Sequence, residues 1–155
     1  MAHLLDDFLF AVSGTEKDAE EVRDAVIADL ESLGLFVSWK KSVLRPSKAV
    51  RFLGFVVDSE RMRFFVPGEK IEEIRAMVRS FQRQPTEVTF RRMAKLAGKI
   101  ISLGTAIAGV RLFTRETYKC ICPEDSWDEV APISDDMMKE ILEAFEWLPL
   151  LNQLG

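Results

Sequence analysis

The sequence predicts an α+β fold: a β-hairpin, a helix, a strand and a second β-hairpin up to about residue 67, then a bundle of helices. Three observations carry this. Short apolar runs separated by turn residues fill the front of the chain. From Gly68 onward apolar residues recur at helical spacing. Pro67 stands between the two patterns, where a ring without an N–H ends a strand or opens a helix. With 155 residues the chain has room for one ordinary domain or two small ones. Three segments are expected, 1–67, 68–122 and 123–155, the last an acidic loop with a connecting helix.

Leu4–Leu5 and Phe8–Val12 flank Asp6–Asp7 in a hairpin pattern, with the acids at or near the turn. Ser13 and Glu16 have capping-box spacing, and Val22, Ala25, Val26, Leu30 and Leu33 then recur at helical intervals until Gly34. Residues 34–39 (GLFVSW) read as a strand, with the basic turn KKS after it. Residues 49–58 (AVRFLGFVVD) read as a strand with a bulge or close approach at Gly54, pairing with RFFVP at 63–67. Ile71, Ile74, Met77, Val78 and Phe81 form one helical stripe, and Pro85 ends it. Thr89 is the N-cap of a second helix, with Val88 and Met93 at staple spacing and Phe90, Leu96, Ala97, Ile100 and Leu103 continuing the stripe. A third segment is expected over 110–121, and a last helix over 135–147, its first-turn acids Asp135 and Asp136 facing the positive end of the dipole.

Composition is that of a globular protein, 48% hydrophobic and 30% charged. No apolar run approaches the ~20 residues of a membrane span, and Asp6–Asp7 break the apolar start that a signal peptide would need. Cys120 and Cys122 are too few for a secreted disulfide framework, and with His3 as the one histidine they make no zinc site. An intracellular protein with reduced thiols is expected. The net charge of −4 is unevenly spread. Residues 1–69 carry −3, residues 70–119 carry +7 with 11 Lys/Arg against 4 Asp/Glu, and residues 120–155 carry −8. A basic middle of this kind suits either a polyanion partner or a solvated helix face balanced by the acidic tail.

Asp6 and Asp7 pose the sharpest question. Two like charges about 4 Å apart repel by about 4 kcal/mol at an effective dielectric of about 20. Either the pair reaches water in a polar turn or a cation relieves it. Taken alone, LLDD leaves both readings open.

The residues C-terminal to LLDD bear on that choice. A helix comes next, then the Gly34–Ser42 strand and lysine turn, the hairpin Phe52-Leu53-Gly54-Phe55 with Asp58 and Met62, the stretch Val66-Pro67-Gly68-Glu69-Lys70, and basic helices. This order resembles the second half of a reverse transcriptase palm running into its thumb. DDFLF, FLGF, Thr89–Ile100 (T-x-R-x-x-A-x-L-x-G-K-I), Arg111–Arg115 (R-L-x-T-R) and the closing WLPLLNQLG resemble in detail the retroelement polymerases of the DIRS type and their pararetrovirus-like relatives. The resemblance covers nearly the whole chain. It implies an RNA-directed DNA polymerase using Mg²⁺, in which carboxylates hold two cations about 3.5–4 Å apart. By that resemblance Asp6 is the main metal ligand with Asp7 beside it. Lys41, with Lys40 as the alternative, is the candidate general acid toward pyrophosphate. Phe52, Leu53, Gly54 and Phe55 form the primer grip. Arg75, Arg79, Arg83, Arg91, Arg92, Lys95 and Lys99 meet phosphates of an RNA/DNA template–primer duplex, independently of sequence. Arg75, Arg79 and Arg83 lie four apart, on one helix face.

The sequence departs from the family at two points. Leu4 stands where the family has tyrosine. The family's other essential aspartate, its fingers and its nucleotide-binding loop precede this turn and are not in residues 1–155. The first expectation is therefore a palm-plus-thumb portion that does not polymerise alone and whose partners include the missing fingers and N-terminal palm. The second is a domesticated, non-catalytic module that binds nucleic acid or protein. The third is an unrelated protein–protein module that binds no nucleic acid. The open edge of the front hairpin also predicts self-association.

Overall fold

The computed structural model describes residues 7–154. The fold is α+β, as the sequence predicts. Helix α1 (Glu16–Ser32) precedes three short strands, β1 (Ala49–Phe52), β2 (Phe55–Asp58) and β3 (Arg63–Phe65). Helices α2 (Gly68–Arg83), α3 (Phe90–Ser102), α4 (Arg115–Lys119) and α5 (Asp135–Leu154) complete the chain.

The core belongs to the helices. Ile71, Ile74, Val78 and Phe81 of α2 face Met93, Leu96, Ala97 and Ile100 of α3, and Met137, Ile141, Ala144 and Leu148 of α5 close the third side. These are the residues that share one stripe at 3.6-residue spacing, so each helix buries one face and leaves the other to water. Thr89 caps α3 as expected, its hydroxyl accepting from the Arg92 amide at 3.3 Å. The acidic loop before α5 is fastened to this core. Phe90 and Arg91 donate their amides to Glu129 and Trp127 carbonyls, and Ala131 donates to Val88.

The strands form an antiparallel meander, β1–β2–β3. Residues 49–58 are two strands, not the single one expected. Phe52 pairs with Phe55, and between them Leu53 and Gly54 have φ of +47° and +79°. Two successive left-handed residues make the two-residue turn that matches strand twist. Leucine gives no sequence sign of that conformation.

Four other expectations are corrected. The cap of α1 is Thr15 with Asp18, two residues beyond Ser13, and each satisfies the other's amide. Residues 34–39 are irregular, because no described strand lies beside them to pair with. Gly34, at φ +77°, ends α1 in a Schellman turn in which Leu35 donates to Leu30 and Gly34 to Glu31. The segment over 110–121 is a 3-10 turn, Val110–Thr114, kinked at Phe113 and continued by the short α4. Helix α5 continues through Pro149 to Leu154. The front hairpin lies partly outside the described residues, and its described part, 7–12, is not a strand.

The apolar stripe of α1 also behaves differently from the others. No residue of α1 is buried. Around it Phe8, Phe10, Leu33, Leu35, Trp39 and Val43 are exposed, and Phe36 is 98% exposed.

Candidate nucleic-acid interface

The tip of the β1–β2 hairpin lies against the first turn of α2. Lys70 Nζ stands 4.4 Å above the Phe55 ring, a favourable cation–π position. A Cβ on Gly54 would sit 2.7 Å from that Nζ, a contact the flexible lysine end can yield, so it is the positive φ of +79° that favours glycine there. Arg51 on β1 pairs with Glu69 on α2. Of the predicted grip residues, Phe55 is buried, Phe52 is half-buried, and Leu53 and Gly54 are exposed at the turn.

The predicted basic residues divide into three groups. Arg75 and Arg79 line the seam between α2 and α5, their guanidinium carbons 5.0 and 5.9 Å from the Phe145 ring. Arg75 also donates to Glu72 at 2.6 Å, and its Nε is buried without a hydrogen-bond partner. Lys99, Arg91 and Arg92 have partners within the fold. Lys99 pairs with Glu73 at 2.7 Å, and its ammonium holds that carboxyl below the ordinary glutamate range. Arg91 makes a two-pronged contact with Asp128 at 2.7 and 3.1 Å. Arg92 lies over Phe81 and donates to Ser80 and to the Glu87 carbonyl. Arg83 and Lys95 are exposed and have no ion-pair partner among the described residues. The residues with free charge are thus fewer than a count of Lys and Arg indicates.

The expected catalytic end lies only partly among the described residues. Asp6 lies outside them. Asp7 is exposed, and no hydrogen bond or ion pair joins it to Lys41, which sits with Lys40 in an exposed turn. No three His, Cys, Asp or Glu side chains converge among the described residues. No described helix is long and apolar enough to cross a membrane.

Sequence patterns did not reveal the fastenings of the site. Phe145 under two arginines, Asp128 on Arg91 and Asn152 at the end of α5 are all remote in sequence from what they touch, and nothing local marks them.

A short antiparallel meander entering a helical bundle through a proline joint is a reverse-transcriptase-like fold. The likeness is to a solved structure of the foamy viral protease–reverse transcriptase in complex with double-stranded DNA, with a TM-score of 0.66 over 88% of this chain at 18% identity. The matched region spans 22% of that protein's chain. No protein-family model matches the sequence, and no curated protein matches it significantly.

Proposed function

We propose that this chain is a portion of a retroelement reverse transcriptase of the DIRS-like type, comprising the end of the palm and the thumb, and that it binds a nucleic-acid duplex without sequence preference. The observation that carries the reading is the agreement of two orders. The motifs from LLDD to the basic helices keep the family's order in sequence, and 88% of the chain folds like a reverse transcriptase whose solved structure holds double-stranded DNA. The duplex would lie across the hairpin tip at Leu53–Gly54 and the exposed cations of α2 and α3, chiefly Arg79, Arg83 and Lys95. Phosphate contacts of this kind are electrostatic and indifferent to base sequence.

In the intact polymerase Asp6 and Asp7 would be part of a Mg²⁺ site, with Lys41 near the leaving group. The uncovered surface of residues 7–48 is the side on which the remaining palm would pack. The 155-residue chain alone is expected to give no primer extension with Mg²⁺ or Mn²⁺, and any extension product contradicts this. The open apolar surface is expected to drive association of copies at high protein concentration. A strictly monomeric solution mass contradicts that.

A second reading has one specific observation behind it. Leu4 replaces the family's tyrosine, which suits a domesticated module that has kept binding and lost catalysis. The first reading, and the second where the module has kept nucleic acid as its partner, require duplex binding. Anisotropy titrations with two duplexes of unrelated sequence are expected to give affinities within about threefold of each other, a difference of about 0.7 kcal/mol. Absence of binding to either overturns the first and leaves of the second only a protein-binding module.

A further inference from the structure

The last turn of α5 returns to the joint between sheet and helices. Asn152 Oδ1 accepts the Val66 amide at 2.7 Å, and Asn152 Nδ2 donates to the Val66 carbonyl at 3.0 Å. One side-chain amide thus pairs with both polar groups of one backbone residue, as a neighbouring strand would. Val66 is 3% exposed and Pro67, which opens α2, is buried, so these two groups have little access to water. Two residues further on, the Leu154 carbonyl accepts from Arg63 at the start of β3. The sheet is otherwise tied to the helices at its tip, through Arg51–Glu69 and Lys70–Phe55. The joint itself offers α2 no side-chain cap, since Pro67 supplies none.

We infer that Asn152 is a positioning residue that clasps Val66 and so sets the angle between the three-stranded sheet and the helical bundle. The consequence for the duplex surface rests on the functional reading above: the hairpin tip and the α2–α3 cations lie on opposite sides of this joint, and a loosened joint separates them. Asparagine is the side chain the chemistry selects. It carries a donor and an acceptor side by side. Leucine of similar size has neither, and aspartate keeps the acceptor but loses the donor until it is protonated.

The test is amide exchange in the full chain, with Asn152→Leu and Asn152→Asp each compared with wild type at the same pH. At pH 7.5 both variants are expected to exchange the Val66 amide about tenfold faster or more, the factor for about 1.4 kcal/mol, with α3 amides unchanged. At pH 3, about one unit below the ordinary aspartate pKa, the mostly protonated aspartate regains its donor, so Asn152→Asp is expected to return to within about threefold of wild type while Asn152→Leu does not. Arg63 is the charged group that the structure places at this end of α5. Unchanged Val66 exchange, α3 amides that speed up in step with Val66, or no recovery of Asn152→Asp at pH 3 each overturns the clasp. Duplex titration of the same proteins is expected to show Asn152→Leu binding about fivefold or more weakly, a loss of about 1 kcal/mol. Unchanged affinity with a loosened Val66 overturns the link to the duplex. If wild type binds no duplex, the functional reading fails, and the clasp stands or falls on exchange alone.

Discussion

Leu53 sits at φ +47° with its side chain 60% exposed, a conformation that costs an L-residue about 1–2 kcal/mol and that no described burial offsets. Asparagine tolerates this region, and Asn-Gly is the favoured pair for such a turn. Leu53→Asn is therefore expected to raise stability by about 1 kcal/mol, seen as a rise of about 2–4 °C in a thermal melt; a fall would mean that the leucine is held by contacts beyond this chain's described fold. A second residue-scale effect concerns Asp128. Its hydrogen bond from Arg91, and then the arginine's charge, hold its carboxyl below the ordinary aspartate range. Because the folded value is the lower one, the contribution to stability is complete above the unfolded pKa of about 3.9 and is lost as pH falls through the folded value. The pair is well exposed, so the effect is small. The melting difference between wild type and Asp128→Asn is expected to shrink as pH is lowered below about 4; a difference that ignores pH would show that the ion pair contributes nothing to stability.

At the scale of elements, the helices were legible and the sheet in part: the antiparallel pairing of residues 56–58 with 63–65 was expected, and the extra strand β1 was not. The stripes of α2 and α3 state their own burial, because helical periodicity needs no knowledge of a partner. The strand expected at 34–39 had the right residues but no neighbour, and pairing is not written locally. The residue pattern alone did not show the turn at Leu53–Gly54, because leucine is not a turn residue. Pro149 marks an end to α5 that does not occur: buried Leu148, half-buried Leu151 and the Asn152 clasp hold the helix past it. The site divides in the same way. Motif order was legible, whereas the partners that neutralise Arg91 and Lys99 come from elsewhere in the fold. Burial also ranks the helices energetically. Met93 is fully buried, so Met93→Ala is expected to cost about 2–5 kcal/mol. Val26→Ser, on the stripe of α1, is expected to cost clearly less, about 1 kcal/mol, because no residue of α1 is buried and Val26 is only half-buried. Comparable losses for the two substitutions would show that α1 packs into the core after all.

Across the whole molecule, one end is a packed bundle and the other an unsupported apolar surface. None of residues 7–48 is buried, while α2, α3 and α5 share a continuous core. The asymmetry in charge runs the same way: the basic stretch 70–119 lies in the well-packed half, so its free cations are held on a rigid frame. Under the proposed function, it is this frame that would meet the duplex. The central claim is thus a salt-sensitive duplex surface centred on Arg83 and Lys95. It is tested most directly by duplex affinity measured between about 50 and 200 mM salt, for wild type and for the double variant Arg83→Ala, Lys95→Ala. The expected result is affinity that falls linearly on logarithmic axes, with a slope shallower by about 2 in the double variant, close to 0.9 for each phosphate contact removed. Affinity indifferent to salt, or an unchanged slope in the double variant, would contradict it.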